Sequence, residues 1–285
     1  MPPTRATMPI GELAEATGVA PGTIRMWEAR HGFPQATRKG GGDRRYDADD
    51  IARVDRVLRE RARGLSLAAA IERVRDWSPG EPPTLYSALR EQQPELAPRA
   101  LPLVAMLAVS RAIEDECLAR ARRPVLAASF QRERAYRAAQ DRWRELARTA
   151  AVAFVLANFP QRRGARGGPA EVRLDPASPV TREWAVVCLD ERYTACLAGW
   201  EQPRARGHRR FEAVWSTDPD AVTATMRTAI GLAGRDVGAR AEQALARLPL
   251  PDAGDTRATL ALANRMLAYV AEGPSATLSA ASPPR

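Results

Sequence analysis

The chain is short of lysine, histidine, cysteine and long apolar runs, and each shortage excludes something. No stretch of about eighteen consecutive apolar residues occurs, so no transmembrane helix is expected. The opening MPPTRATMPIGEL lacks the apolar core of a signal peptide, and a cytoplasmic location is the expectation. Three cysteines, Cys117, Cys188 and Cys196, are too few and too scattered for a disulfide framework or a Cys-x-x-Cys zinc site. The two histidines are His31 and His208, and neither is placed for catalysis. Of 43 basic residues only Lys39 is lysine, the bias that a GC-rich genome gives to arginine codons. The net charge of +9 is therefore a weak pointer to nucleic acid, and the placement of the arginines must carry the argument.

What is present suffices for two domains. The 285 residues exceed one average domain, and 45% of them are hydrophobic, enough for a sizeable core. Residues 1–7 read as a leader, 8–77 as one unit and 78–83 (SPGEPP) as a linker punctuated by proline and glycine. A second unit is expected over 84–250, a further helix over 251–271, and a disordered, small-residue tail over 272–285.

In the first unit, IGELAEATGVAPGTIRMW has the spacing of a helix-turn-helix. Ile10 and Leu13 start an apolar face, Ala14 is small where two helices would cross, and Gly18 falls where the turn needs a positive φ. Val19 and Ile24 fill the angle, and Pro21 suits the first turn of the second helix. The loop that follows can pair QATR with RRYD as two short strands around a Lys39-Gly40-Gly41-Gly42-Asp43 tip. Arg38, Lys39, Arg44 and Arg45 place charge where such a wing would meet phosphates. Asp47 and Ser66 are expected to cap two further helices.

The runs IGELAEATGVAPGTIRMWEARHGFP, GGDRRYDADDIARV and GLSLAAAIERV resemble the MerR family of transcription regulators, in its branch of light-responsive and curli-type members. The resemblance implies that the second helix enters the major groove, with Thr23 and Arg25 on it, and that the wing contacts the backbone through Arg44, Arg45 and Tyr46. Asp43 departs from the pattern. Trp27 is a candidate DNA contact or a packing residue against the wing. Arg30 and Arg53 read as solvated charges, and His31 as a helix-terminal cap.

The second unit alternates helical and strand-like runs. Helices are expected over 101–121, within RAYRAAQDRWRELARTA, over 218–234, 236–247 and 256–271. Strands are expected in PVLAASF, AVAFVLANF, EWAVVCLD, TACLAGWE and RRFEAVWS. Trp184, Trp200 and Trp215 sit at strand positions and read as core. A hairpin turning at Asp190-Glu191-Arg192 offers Cys188 and Cys196 as near neighbours, against the favoured reading of two small buried strand residues. The acids of IEDE fan around a helix and read as a solvated or arginine-paired face. The fold class expected is therefore mixed: an all-α winged helix-turn-helix domain, then an α/β domain with about five strands.

AIEDECLARARRPVLAASFQRERAYRAAQDRWRELA, REWAVVCLDERYTACLAGWE and RRFEAVWSTDPDAV resemble the DICT sensory domain over about residues 88–234. The resemblance implies a signal-input role and names no ligand. From the residues, SFQRER follows an apolar strand and precedes a helix, and ligands of α/β sheets sit outside the carboxyl ends of strands. Ser129, Gln131 and Arg132 are the ligand-binding candidates, against the alternative that Gln131 and Arg132 cap the next helix and Glu133 pairs with a nearby arginine.

No nucleophile motif and no phosphate-cradling loop appears, so an enzyme is not expected. Relatives in the resembled branch hold cobalamin through Asp-x-His-x-x-Gly, and metal-sensing relatives cluster their cysteines. This sequence has neither pattern, and no cofactor or metal is expected. The function expected is a one-component transcription regulator that binds double-stranded promoter or operator DNA as a homodimer. It would answer an unknown small-molecule or light-linked signal, act on RNA polymerase and touch no membrane. The alternative is a non-enzymatic adaptor docking a signalling partner.

Overall fold

The computed structural model describes residues 7–38, 44–62, 64–75, 84–163, 167–202, 209–249 and 255–272. The wing tip from Lys39 to Asp43, Trp77, the linker 78–83, His208, the leader before Thr7 and the tail after Glu272 lie outside the described residues. The chain divides into two compact units, Met1–Pro82 and Pro83–Arg285.

The first unit begins with α1 (Ile10–Thr17) and α2 (Pro21–His31). Gly18 between them takes φ 68°, a left-handed backbone open to glycine without steric cost. Pro21 occupies the first turn of α2, and Ala20 ahead of it offers no side-chain cap. Leu13, Ile24, Trp27, Phe33, Val54 and Val74 are buried as its core, each such aliphatic side chain contributing about 1.5–3 kcal/mol. The wing strands β1 (Thr37–Arg38) and β2 (Arg44–Arg45) pair antiparallel, Thr37 opposite Arg45. Tyr46 extends the pairing by a bridge to Met8.

Next comes α3 (Ala48–Ala62), opened by a reciprocal cap. Asp50 N donates to Asp47 Oδ1 (3.0 Å), and Asp47 N donates to Asp50 Oδ2 (2.9 Å). In α4 (Leu67–Arg75), Ala69 N donates to Ser66 Oγ at 3.2 Å. The two helices are tied by Glu60, fully buried, which pairs with Arg56 (2.9 Å) and with the buried Arg73 (3.3 Å).

The second unit is a seven-stranded mixed sheet covered on both faces by helices. Its elements run α5 (Leu85–Gln92), β3 (Arg99–Pro102), α6 (Leu103–Arg120), β4 (Val125–Ser129), α7 (Glu133–Thr149), β5 (Val152–Ala157) and β6 (Ala170–Arg173). They continue with β7 (Glu183–Leu189), β8 (Thr194–Glu201), β9 (Arg210–Ser216), α8 (Pro219–Leu232), α9 (Arg235–Ala246) and α10 (Thr256–Glu272). The order across the sheet is β3-β9-β8-β7-β4-β5-β6. Only the β4-β5 and β5-β6 pairs are parallel.

Seven strands replace the five or so expected. The two unforeseen ones, β3 and β6, are four-residue edge strands. One contains Leu101 and Pro102, read in the sequence as the start of a helix, so α6 begins two residues later than expected, at Leu103. The other is the short run AEVR beyond a glycine- and arginine-rich loop.

Strand alternation sorts the core. Leu126, Ala128, Val155, Val186, Cys188, Leu197 and Phe211 face Met106, Ile113 and Cys117 of α6, Trp143 of α7, and Leu262 and Met266 of α10. Cys188 lies 2.8 Å from Cys117, sulfur to sulfur. Cys196 is not its cross-strand partner. In the register Cys188 faces Ala195 and Cys196 faces Val187, which puts the two thiols on opposite faces. Burial pushes the Cys196 thiol up to about 12. Trp200 is fully buried, and Trp184 and Trp215 are half-buried against the same core.

The acids of α6 are arginine-paired. Glu114 and Asp115 both accept from Arg142 of α7, Glu116 accepts from Arg120 and from Arg265 of α10 (2.7 Å), and Tyr269 of α10 donates to Asp115. Aspartates cap α8 and α10, while α9 starts after Gly234 without a side-chain cap. Ala221 N donates to Asp218 Oδ1 (2.8 Å) and Ala258 N to Asp255 Oδ1 (3.0 Å). Among the described residues no helix is long and apolar enough to cross a membrane.

Candidate nucleic-acid interface and sheet-end cavity

The expected DNA contacts separate into exposed and buried groups. Arg25 projects from α2 into solvent, and Thr23, one turn from the buried Trp27, is half-exposed. Helical spacing puts Ile24 and Trp27 on the inner face, so Arg25 points away from the core. Arg44 is exposed and Arg45 half-exposed on β2. Thr37 donates its hydroxyl to Arg45 O at 3.2 Å and steadies that strand. Lys39 falls outside the described residues, and Arg38 is described as the end of β1.

Trp27 and Tyr46 are buried. Trp27 is 2% exposed and its ring stands 6.5 Å from that of Phe33, so it is core rather than groove surface. Tyr46 is 1% exposed and donates its hydroxyl to Glu28 Oε1 of α2 at 2.7 Å. Burial first, and then that hydrogen bond, push the Tyr46 hydroxyl well above its ordinary pKa, so it stays a neutral donor. The second oxygen of Glu28 forms an ion pair with Arg44 Nε at 3.1 Å. One carboxylate thus fastens the wing to α2 at two points. Sequence reading missed Glu28, because its partners lie 16 and 18 positions away and nothing local marks it.

His31 ends α2, and its carbonyl accepts from Arg75 Nη2 at 2.9 Å. Arg53 is not merely solvated: it pairs with Asp50 at 3.3 Å. The surface that remains cationic around α2 and the wing is a basic ridge supported from beneath by Trp27, Glu28 and Tyr46.

In the second unit the three ligand candidates part company. Ser129 is sealed in the core, donating to Glu183 O (3.1 Å) and lying 3.4 Å from Val180 O. Gln131 and Arg132 line a cavity of about 770 Å³ outside the carboxyl ends of β4 and β5. Gln131 has φ 59°, a left-handed backbone that costs a non-glycine residue about 1–2 kcal/mol. Its side chain holds the turn: Nε2 donates to Arg182 O (2.7 Å) and Glu201 Oε2 (3.1 Å), and Oε1 accepts from Arg209. Arg132 stands at the N-cap position of α7 but makes no side-chain cap hydrogen bond, and the Gln131 side chain is spent on the turn. Asn158, from the end of β5, accepts from Glu133 N at 2.8 Å, and Glu133 pairs with Arg137 (2.8 Å). Arg173 and Arg182 also line the cavity. They come from β6 and from the 3-10 turn Pro179–Arg182, segments carrying no local motif. Among the described residues no cluster of histidine, cysteine and acids could hold a metal ion.

Comparison with known proteins bears on both units. Residues 8–76 match the model of the MerR HTH family regulatory protein. Residues 83–202 match that of DICT, the sensory domain in diguanylate cyclases and two-component systems, ending short of the Gly234 expected. The chain is 38% identical over 79 residues to the HTH-type transcriptional repressor CarA of Myxococcus xanthus, a stretch covering 27% of each chain. It is 40% identical over 65 residues to the nodulation protein NolA of Bradyrhizobium elkanii, covering 23% of this chain and 30% of the relative. It is 42% identical over 62 residues to the HTH-type transcriptional activator SoxR homolog of Chromobacterium violaceum, covering 22% and 41%. The alignments thus span between 27% and 41% of these relatives' own length.

Proposed function

We propose that this chain, which carries a MerR-type helix-turn-helix domain followed by a DICT sensory domain, is a sequence-specific, one-component transcription regulator of double-stranded promoter or operator DNA. The observation that carries the reading is the Glu28 clamp. It holds a basic two-stranded wing at a fixed distance from α2, with Arg25 exposed between packing residues. In this reading α2 lies in the major groove, Thr23 and Arg25 face base edges, and Arg38, Lys39, Arg44 and Arg45 meet phosphates. Trp27 and Tyr46 act as supports from beneath, not as contacts.

The regulator works as a homodimer, since one helix-turn-helix covers too little DNA for tight specific binding. Its interface is the outer face of α10 with the start of α6. Leu260, Leu267 and Val270 on one, and Val104 and Leu107 on the other, are exposed at 43–68%. The DICT unit receives a small-molecule or light-linked signal, and the bound dimer admits or excludes RNA polymerase.

Selection of genomic fragments by the full chain tests this. Enrichment of a short sequence in paired half-sites is the expected result. A pool with no enrichment would favour the non-enzymatic adaptor instead. Light scattering of the full chain checks the dimer, and Leu267→Asp should yield monomers.

A further inference from the structure

We infer that the cavity outside β4 and β5 is the binding site of a small organic anion, one that presents carboxylate or phosphate groups on an apolar body. It deepens the sensor reading of the second unit, on which its regulatory meaning rests.

The location comes first. After β6 the chain crosses back to the opposite side of β4, where β7 pairs. The cavity therefore opens where sheet growth reverses, outside carboxyl strand ends, the usual ligand crevice of α/β sheets. Its volume, about 770 Å³, is that of a small-molecule site.

Charge comes second. Arg132, Arg173 and Arg182 converge on the cavity from three separate elements. Among the described residues its one lining carboxylate is Glu201. That acid is already engaged by Arg209, at 2.7 and 2.9 Å, and by Gln131. The contact of Arg173 is with a carbonyl, Pro160 O at 3.2 Å, and not with an acid. Arg182 is braced over the Trp200 ring at 5.2 Å and donates to Glu201 O at 3.2 Å. Guanidinium groups held in fixed orientations are forks for carboxylate or phosphate oxygens.

The walls come third. Phe159, Pro160, Leu174 and Pro176 add apolar wall beside the neutral polar Asn158, Thr181 and Gln202, so an apolar body is accommodated between the charged groups. The turn at Gln131 supplies an independent sign. Its left-handed backbone is pinned by three side-chain hydrogen bonds, and it delivers Arg132 to the cavity. Strain of this kind collects at ligand-facing turns.

The test is calorimetry on the full chain with benzene-1,3,5-tricarboxylate and with phenyl phosphate, using benzamide as the uncharged control. At least one anion should bind at one site per chain, and benzamide should not. Which anion binds tells a carboxylate ligand from a phosphate one. Arg132→Gln with Arg173→Gln should weaken binding tenfold or more. Arg123→Gln with Arg240→Gln removes the same charge around a different cavity, beyond the other end of β4, and should change it less than twofold. Melting of each variant is followed, and the single exposed-site variant Arg132→Gln serves if the double variant fails to fold. Absence of binding by both anions, or equal weakening by the two double variants, overturns the site. Operator affinity measured with and without the bound anion addresses the sensor reading separately: unchanged affinity would count against that reading and leave the site standing.

Discussion

Glu28 accepts the Tyr46 hydroxyl at 2.7 Å, joining α2 to the residue that follows the second wing strand. A hydrogen bond to a charged acceptor contributes about 1.5–3 kcal/mol, and this one is largely out of water. Tyr46→Phe is therefore expected to speed amide exchange in α2 and β2 by a factor corresponding to roughly that energy. Operator affinity should fall equally for matched and mismatched sequences. A loss confined to one base position would mean that Tyr46 reads DNA directly.

Arg25 and Arg45 should differ in kind. Arg25→Ala is expected to relax preference at one operator position by about 1–3 kcal/mol, the worth of a bidentate guanine contact. Arg45→Ala should weaken every sequence alike and reduce the slope of log affinity against log salt by about 0.9. Titrations of both variants at several salt concentrations separate the two. Identical salt slopes would refute the division of roles.

Glu60 is buried between α3 and α4, and Arg73, 3.3 Å away, is 3% exposed. Removing one partner of a buried pair strands the other, at a cost of about 3–5 kcal/mol. Arg73→Met should lower stability towards that range, with Arg56 holding part of the charge. Glu60→Met combined with Arg73→Met should recover most of the loss. Differential scanning calorimetry of the three variants would show it, and a double variant no better than the single one would contradict the account.

The α6–α10 contact should weaken in acid. Burial raises the Glu116 carboxyl, but hydrogen bonds and charge from Arg120 and Arg265 outweigh it, and the folded pKa ends below the ordinary 4.5. A group depressed on folding stabilises above its unfolded pKa and loses that contribution as pH falls through the folded value. The stability difference between the native chain and Glu116→Gln should be full at pH 6 and shrink below about 4.5. Glu114 beside it is raised, chiefly by burial, and tilts the opposite way. Comparing one variant with the native chain removes that background. A difference that is constant from pH 6 to 3 would mean that the pairing does not stabilise the fold.

Much of the first unit was legible because its signals are local. Gly18, Pro21, Asp47 and Ser66 mark helix ends within a few residues of the groups they serve. The five longer strands were legible from their apolar runs. β3 and β6 were not, because four residues with a proline or an arginine make no pattern, and pairing to β9 and β5 is what makes them strands. The same distance effect hid Glu28. It also left Trp27 open between packing and DNA contact, and Tyr46 a contact only by family resemblance, because burial depends on partners that the local spacing does not reveal. At the cavity, position after a strand located Gln131 and Arg132. Arg173 and Arg182 arrive there only through the sheet order. Ser129, the last residue of β4, is sealed because both faces of that strand are covered.

Those short outer strands have a further consequence. β3 ends in Pro102, which lacks an N–H to offer a neighbour. β6 has its open side answered by Arg163, whose backbone exchanges hydrogen bonds with Glu171 at 2.9 and 3.2 Å. Neither border presents a long row of unpaired amides on which a foreign strand could grow. A seven-stranded sheet with so much valine, leucine and alanine would otherwise be a template for fibrils. Blunted at both margins, the sheet resists edge-to-edge growth even at high local concentration, and the dimer proposed through α6 and α10 would form through helices without zipping two sheets together.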